Sequence, residues 1–554
     1  MKTPEPMNRP FFRTLLLAGA LALLHPAAHA ADGTWSYAGN GDWFDEDNWE
    51  LQTVADGPGA VAHLAGTSGR TIAIAGTGES VTLGEIALDA LAVGWRLESG
   101  TIILNSGTPS VKALISGTST SSGTTRLTID SRLEGSSGLK ITGGRYIFSN
   151  TGNTFTGGVE LSTGAVVHVY AGAFGTNQIT MADSGAQLQL RGGAHSNAIL
   201  LGADNTLIAA GTNGAILSGT ISEAVAGTAV RLLNNTTNCL LEISGNNSYS
   251  GDTTLGGTGT TANTTVRISS ATAFGLASTA ANVSFTAGSG STSTLELTNN
   301  IDVRNRNLTL AGSGRDAKGS LRNLTGDNQW SGNVALGALA HATVGVEADT
   351  TLIIGGVVSG DSEGGLVKVG DGTLVLKNAN THATGTVVEA GRLVASHDQA
   401  VAGGDLALGE ETVLSITTGV QLAVGNLTLG EGSGLEFHLG AEATATSLVL
   451  APGGSQTGSG THLIDIVNHG GLALQSYTLI TGASEAFEGT DFLLGNTPEG
   501  FSGTLLWEEG ALTLHVAAVP EPTSAALVGL GLAAFALGVN ARRRFARSHS
   551  LVKA

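Results

Sequence analysis

Several residue types are scarce in this chain of 554 residues. It has one cysteine, Cys239, which excludes an intramolecular disulfide and a cysteine-rich zinc site. Prolines number 10, and aromatic residues make up only 5%. Packing and backbone hydrogen bonds must therefore stabilise the fold. We expect Cys239 to behave as a small buried side chain beside Leu240 and Leu241.

Basic residues are also few, with 26 lysines and arginines against 45 aspartates and glutamates. The net charge of −19 disfavours binding to nucleic acid, because both molecules are negatively charged. The 13 histidines are scattered and form no H-E-x-x-H motif. We therefore expect no nucleic-acid partner, no metal site and no cofactor.

Between residues 31 and 519 no stretch has the periodicity of an amphipathic helix. What is present instead is 82 glycines and many short runs in which Val, Leu, Ile and Thr alternate with polar residues. A chain that is 41% hydrophobic and 13% charged does not have a disordered composition. These patterns predict an all-β protein with a sizeable core.

The N-terminus has the features of a secretory signal peptide. A basic segment and the apolar residues 15–24 precede Ala28 and Ala30, which form an A-x-A cleavage pattern. We predict that residues 1–30 are removed and that the mature chain begins at Ala31.

The C-terminus carries a proline-containing element, an apolar run and a basic cluster. In order, these are Val519, Pro520, Glu521 and Pro522; residues 525–539; and Arg542, Arg543 and Arg544. Arginines resist crossing a bilayer and hold their segment on the cytoplasmic side. The order resembles the PEP-CTERM sorting signal of Gram-negative bacteria.

That resemblance implies a single transmembrane helix within a sorting signal at 519–545 and a cytoplasmic tail at 546–554. It also implies an exosortase-type enzyme that cuts near Pro520, and a product at the cell surface or in the extracellular matrix. The apolar run is shorter than the ~20 residues of a full helical span. It therefore suits an anchor that is held and then removed.

A short pattern, Asn-x-aromatic-Ser/Thr-Gly, recurs along the chain. The asparagine, aromatic residue and glycine of the first three copies are Asn153, Phe155 and Gly157; Asn247, Tyr249 and Gly251; and Asn328, Trp330 and Gly332. A fourth copy begins at Asn380, has His382 in the aromatic position and contains one extra residue before its glycine. The unequal separations indicate insertions between copies.

The fourth copy belongs to the fullest repeat, residues 365–394, which resembles the autotransporter-associated β-strand repeat. Gly370 and Gly372 allow a tight turn between alternating segments, and Asn380 supplies side-chain bonds to a second turn. Stacked repeats can form a continuous core, with asparagines of equivalent turns in ladders. We predict a right-handed parallel β-helix, or β-solenoid, over 52–452. A set of antiparallel sandwiches is the alternative.

Two flanking regions are expected to cap this solenoid. Residues 31–51 contain three of the six tryptophans and form an aromatic N-terminal cap. An aromatic cover there would protect an exposed strand edge. Residues 453–516 contain alternating strands with wider turns, and they resemble the β-module that commonly precedes PEP-CTERM signals.

Three groups of residues could carry chemistry. Residues 360–364 match the G-x-S-x-G string, but a strand rather than the required helix follows them. Lys368 and Asp371 lie close in sequence, as an acid–base pair in a β-helix groove would. The acidic residues of 42–50 do not have the spacing of an EF-hand loop, so we interpret them as a solvated edge rather than a calcium site.

These observations favour an exported, surface-retained structural or adhesin-like protein without catalytic activity. Its expected partners are the sorting enzyme, the membrane through the C-terminal helix, and exopolysaccharide or other matrix components. The alternative is a polysaccharide-degrading or carbohydrate-binding β-helix protein, because that fold also hosts such functions.

Overall fold

The computed structural model describes most of residues 30–519. The segments outside this description are 67, 75–77, 90–93, 118–124, 163, 205, 212, 235, 258–263, 277–280, 287–291, 338–340, 362–363, 442–445, 453 and 483–490. The predicted signal peptide, up to residue 29, and the predicted sorting signal, from residue 520, also lie outside the described residues.

The described chain is a parallel β-solenoid, as the repeats predicted. It contains 52 strands in six sheets, which we number I to VI. The helices found in it are single 3-10 turns at Glu46–Asn48, Glu50–Gln52 and Arg315–Ala317. Up to the last two strands, successive strands in the chain enter different sheets, and each sheet collects strands from successive coils.

Sheets I, II and III begin in the N-terminal half. Sheet I contains Gly33–Trp35, Val61–Leu64, Glu85–Leu88, Ala113–Gly117, Leu139–Thr142, Val159–Ser162, Ile179–Met181, Ile199–Leu201 and Ile221–Glu223. Sheet II contains Gly41–Asp42, Thr71–Ala73, Trp95–Glu98, Thr125–Ile129, Arg145–Phe148, Val166–Tyr170, Gln187–Arg191, Thr206–Ala210, Val230–Asn234, Thr253–Gly257, Ala281–Phe285, Arg306–Leu310, Val334–Leu336 and Val358–Gly360. Sheet III contains Ser80–Leu83, Thr101–Leu104 and Arg132–Gly135.

Sheets IV, V and VI carry the stack to its C-terminal end. Sheet IV contains Ala194–His195, Ala215–Leu217, Leu240–Ile243, Thr265–Ile268, Thr294–Leu297, Leu321–Asn323, Ala342–Val346, Leu366–Val369, Thr386–Val388, Leu406–Leu408, Leu427–Leu429 and Gln456–Gly458. Sheet V contains Asp302–Val303, Asp327–Trp330, Thr351–Ile354, Thr373–Leu376, Arg392–Ala395, Val413–Ile416, Gly434–Leu439, His462–Asn468 and Phe492–Leu494. Sheet VI contains Gln421–Val424, Ser447–Leu450, Ser476–Thr481, Phe501–Glu508 and Ala511–Ala518.

The core is a continuous column of side chains inside the coils. Alternation along each strand sends every second residue inward, so parallel register places like residues above one another. In sheet V one such column is fully buried and consists of Leu352, Leu374, Leu393, Leu414, Leu435 and Ile464. The alternating runs of the sequence therefore build the core directly.

The aromatic residues near the N-terminus lie inside the first coil. Trp35, Trp43 and Trp49 are buried, and their rings meet edge to face, with centroids 5.3 Å apart for Trp35 and Trp49 and 4.9 Å apart for Trp43 and Trp49. The indole N–H of Trp43 donates to the carbonyl of Ala55, and that of Trp49 donates to the carbonyl of Trp43. Strand Gly33–Trp35 is the first strand of sheet I.

At the C-terminal end of the solenoid, strand pairing changes from parallel to antiparallel. Parallel pairing passes through the predicted boundary at 452/453. It includes Ser476–Thr481, which pairs with Ser447–Leu450, and continues to Phe492–Leu494, which pairs with His462–Asn468. Ala511–Ala518 then pairs antiparallel with Ser476–Thr481 and with Phe501–Glu508. The residues predicted as a separate module thus contain the last parallel strands and an antiparallel hairpin.

Parallel pairing between successive coils excludes the antiparallel sandwich alternative for the described chain. The handedness of the coils remains a prediction. Within the described residues no helix has the length and apolarity needed to span a membrane.

Candidate functional site

The four Asn-x-aromatic motifs lie at turns where one coil meets its neighbour. In each copy the asparagine Oδ1 accepts a hydrogen bond from a backbone N–H of the preceding coil. The donors are Leu133 for Asn153, Ile221 for Asn247, Ile301 for Asn328 and Val358 for Asn380, at 2.7, 2.7, 2.7 and 2.8 Å. Each asparagine is at least 93% buried. These bonds satisfy N–H groups that would otherwise be costly to bury.

In three copies the other end of the amide reaches the following coil. The Nδ2 atoms of Asn153, Asn247 and Asn380 donate to the carbonyls of Ala173, Ala273 and Ala400, at 2.7, 2.6 and 2.6 Å. Asn328 instead donates to Asn323 Oδ1 and the carbonyl of Thr325. Asn153, Asn247 and Asn380 therefore bridge the backbones of adjacent coils. The predicted ladder, in which asparagines of equivalent turns stack on one another, is not observed for these motif residues.

The aromatic position of each motif is buried. Phe155, Tyr249, Trp330 and His382 are all at least 97% buried. The Tyr249 hydroxyl lies 2.8 Å from Thr253 Oγ1, and His382 Nε2 lies 2.9 Å from Thr386 Oγ1, so each polar tip meets a threonine four residues later. His382 thus occupies the tyrosine position of the repeat.

The motif glycines lie where backbone of another coil approaches. A Cβ on Gly332 would lie 1.8 Å from the carbonyl oxygen of Arg306, and one on Gly251 would lie 2.2 Å from that of Thr228. Gly157 has a φ of 91°, which side chains rarely adopt, and its Cβ would also meet backbone.

The turn glycines of the fullest repeat are similarly crowded. A Cβ on Gly370 would lie 2.4 Å from the carbonyl oxygen of Val346, and one on Gly372 would lie 2.1 Å from that of Glu347. The glycines of the repeat therefore permit close stacking of coils as well as turns.

Arg306 is a buried cation that sequence reasoning missed. Its guanidinium donates to the carbonyls of Gly251 and Tyr249, at 3.2 and 3.0 Å, and lies 5.6 Å from the Tyr249 ring centroid. Burial lowers the pKa of Arg306 and raises that of Tyr249. Because these partners are 55 and 57 residues earlier, only knowledge of the coil stacking could have identified them.

Lys368 does not face an open groove. It lies inside the solenoid, fully buried on the same side of its strand as Leu366. Its Nζ donates to the carbonyls of Val369, Gly370 and Ala390. Burial lowers its pKa to about 8, against the opposing effect of Asp371. Lys368 therefore caps carbonyls at the end of its strand from inside the solenoid, whereas Asp371 is exposed on the turn that follows.

The other sequence candidates do not assemble into a site. Gly360 ends one strand and Leu366 begins the next, while Ser362 lies outside the described residues. In the acidic stretch, Asp42 and Asp45 accept bonds from the backbone N–H groups of Phe44 and Asp47. Across the described part of the chain, no three His, Cys, Asp or Glu side chains are grouped to hold a metal ion. Cys239 is buried, and its thiol donates to the carbonyl of Gly211.

A second cluster, also missed from sequence, joins Arg392, Ser415, Glu436 and His438 on sheet V. Glu436 Oε1 accepts from Arg392 Nη1 at 2.6 Å and from Ser415 Oγ at 2.7 Å, and it lies 3.0 Å from His438 Nε2. Burial acts to raise the pKa of Glu436, but the bonds from Arg392, Ser415 and His438 outweigh it and lower the pKa to about 2.

This cluster does not have the geometry of a catalytic triad. In a triad the hydroxyl and the carboxylate bond opposite nitrogens of the imidazole. Here Ser415 Oγ and Glu436 Oε1 both lie at His438 Nε2, at 3.1 and 3.0 Å. The buried Nδ1 of His438 has no hydrogen-bond partner among the described residues, and Ser415 is 99% buried. The cluster links the three strands of sheet V that carry its residues.

A family model described as the passenger-associated transport repeat matches residues 366–395. The match coincides with the repeat that contains Lys368, Gly370, Gly372, Asn380 and His382. The chain therefore carries an autotransporter-type repeat, although this match covers a small part of its length. No curated protein and no solved structure matches the chain.

Proposed function

We propose that this protein is an exported, surface-retained structural or adhesin-like solenoid without catalytic activity. The observation that carries the proposal is a parallel β-solenoid with a passenger-type repeat at 366–395 as one of its coils. The signal-peptide pattern before Ala31 supports export. The buried motif side chains and the absence of triad geometry at Ser415 support a structural role.

We also propose how the chain is retained. Because Pro520, Glu521 and Pro522 precede an apolar run and three arginines, an exosortase-type enzyme recognises this C-terminus while its helix is held in the membrane. Cleavage then releases the solenoid to the cell surface, where it associates with exopolysaccharide or another matrix component. The resemblance to PEP-CTERM signals supports this route.

Mass spectrometry of the C-terminal peptide of surface-exposed protein tests the sorting mechanism. We expect wild-type protein to end before Arg542. Replacing Pro520, Glu521 and Pro522 together by alanine should leave the arginine tail attached and reduce the surface fraction, whereas the control Pro452→Ala should behave like wild type. An intact arginine tail on wild-type surface protein would refute sorting by cleavage.

A further inference from the structure

A cleft on the outer face of sheet IV is the strongest unassigned site in the described structure. It has a volume of about 240 Å³. Its floor comes from the strands Leu240–Ile243, Thr265–Ile268, Thr294–Leu297 and Leu321–Asn323. Its wall is the loop that precedes the last of these strands and contains the 3-10 turn Arg315–Ala317. We call this site the sheet IV cleft.

The sheet IV cleft is basic although the protein as a whole carries a net charge of −19. Four cationic side chains line it against two carboxylates. The cations are Arg267, Arg315, Lys318 and Arg322, and the carboxylates are Glu296 and Asp316. Such an excess attracts an anion, because a cleft with low-dielectric walls concentrates the field of its charges.

The strand residues of the cleft form an ordered row. Parallel register places Glu296 between Arg267 and Arg322, and its carboxylate accepts from both guanidiniums at 2.8 and 2.9 Å. Glu296 is 95% buried, so this row is a fixed floor. Arg322 also bonds Glu347, which leaves the floor close to neutral.

The loop residues provide the positive charge that is not paired with the carboxylates of the cleft floor. Arg315 Nη1 donates to Thr265 Oγ1 at 3.3 Å, whereas its Nη2 and the Nζ of Lys318 have no hydrogen-bond partner among the residues that the structure describes. Asp316 is the one loop carboxylate in the lining; it lies 3.4 Å from Arg315 Nε and is 71% exposed. Arg315 is thus paired with one exposed carboxylate, and Lys318 adds a second positive charge to the lining.

The loop is held in a strained conformation above the sheet. Asp316 and Ala317 have φ angles of 55° and 57°, in the left-handed region that residues other than glycine rarely adopt. The loop is fixed by the bond from the Arg315 N–H to Thr294 Oγ1 at 2.8 Å. A Cβ on Gly345 would also lie 1.9 Å from the carbonyl oxygen of Lys318, so the loop backbone rests directly on the sheet. The loop backbone that carries Arg315 and Lys318 is therefore held in place.

We propose that the sheet IV cleft binds a carboxylate-bearing sugar unit of an acidic polysaccharide. A guanidinium and an ammonium suit a carboxylate. The hydroxyls of Thr265 and Thr294 are buried and hold the loop in place, since both accept from Arg315 and Thr294 also donates to the carbonyl of Gly319. The volume is below the ~300–1,000 Å³ of pockets that enclose whole ligands, which fits one unit of a polymer lying across the face. The extracellular origin of this polymer rests on the proposed function, whereas the carboxylate contact does not.

Calorimetric titration of the purified full-length chain in detergent micelles tests the site. The probe is a short oligogalacturonate, and its fully methyl-esterified form is the matched uncharged ligand. We expect binding of the acid and at least about tenfold weaker binding of the ester, since the ester lacks the charge that pairs with the guanidinium and the ammonium. Equal binding of the two forms would overturn the proposal, as would no binding of the acid.

Charge variants of the loop assign the binding to the cleft. Arg315→Gln with Lys318→Gln should weaken oligogalacturonate binding by about tenfold or more. Asp316→Asn should strengthen it, because it removes a competing carboxylate. Lys377→Gln, which removes an exposed charge outside the cleft, should have no effect. Circular dichroism checks that each variant is folded, and an unchanged affinity in the folded double variant would contradict the assignment.

Inorganic phosphate separates a carboxylate site from a general anion site. Phosphate at the same concentration should displace little oligogalacturonate; full displacement would mean that the cleft holds any anion and would overturn the sugar assignment. This binding is measured on purified protein, so its failure would leave the C-terminal cleavage result unaffected, and failure of cleavage would not alter the binding.

Discussion

At the scale of single residues, Asn153, Asn247 and Asn380 each connect neighbouring coils through one side-chain amide. One primary amide accepts from the coil before it and donates to the coil after it, and it is buried between them. If the side chain is shortened, neither buried backbone group can form a replacement hydrogen bond with water. Such a residue couples the stability of three consecutive coils.

Asn153→Ala should therefore lower the free energy of unfolding by about 1–3 kcal/mol, because it leaves the Leu133 N–H and the Ala173 carbonyl unpaired in the interior. Urea denaturation followed by circular dichroism measures the change. Asn213→Ala, at an exposed turn, is the control and should stay within about 0.5 kcal/mol of wild type. Equal effects of the two variants would mean that the bridge is not stabilising.

The motif glycines permit a second test at this scale. Gly332→Ala should destabilise by about 1–3 kcal/mol, because its methyl group would meet the Arg306 carbonyl oxygen and force the coils apart. Gly434→Ala, whose Cβ would have its nearest neighbour at 3.5 Å, should be neutral or slightly stabilising. Thermal denaturation of both variants would distinguish steric exclusion from a general intolerance of alanine.

At the scale of elements, the strands depend on the coil above and below more than on their own length. Many strands have only three or four residues, too short to be stable alone. Their inward residues stack in register, so one truncation opens a gap that two neighbouring coils share. Interior coils should accordingly be more sensitive to substitution than the ends.

Leu393→Ala should cost about 2–5 kcal/mol, since Leu393 is fully buried between Leu374 and Leu414. Leu493→Ala removes the same atoms from a side chain that is 54% exposed, so its effect should be under about 1 kcal/mol. Differences in urea midpoint measure both. A loss at Leu393 as small as that at Leu493 would contradict a packed central column.

The sequence allowed prediction of the strands, the parallel stacking and the motif turns, because each follows from local alternation or from a recurring string. The inward direction of Lys368 could also be predicted from the sequence, because Lys368 lies two residues after the apolar Leu366 on the same strand. The cluster of Ser415, Glu436 and His438 was not accessible, because it requires the register between coils. Because the insertions between repeats differ in length, the spacing of residues in the sequence does not show which residues of neighbouring coils lie side by side.

At the scale of the whole molecule, acid is expected to weaken the stack. Burial, followed by the charges of Arg191 and Arg145, lowers the pKa of His168 to about 3. Burial also lowers the pKa values of His195, His382 and His462. The unfolded chain binds these protons near pH 6.5, so the folded state is disfavoured progressively as the pH falls below that value. Glu436 acts in the same direction, since its stabilising charge is lost between pH 4.5 and about 2.

The free energy of unfolding should therefore fall between pH 6.5 and 4.5, with roughly 2–3 kcal/mol of the loss due to His168. His168→Gln should reduce the pH dependence even if it lowers stability at neutral pH. Urea denaturation at the two pH values gives the slopes, and identical slopes for wild type and His168→Gln would exclude this cause.

The spacing of the coil-to-coil bonds has a consequence for how the polypeptide reaches its native state. The backbone group that each motif asparagine accepts from lies only 20 to 27 residues earlier in the chain. Closing a loop of that size costs little more entropy than closing a shorter one. A chain that emerges N-terminus first can thus add one coil at a time onto a finished template, and the antiparallel hairpin of Phe501–Glu508 and Ala511–Ala518 is the last part to join the stack.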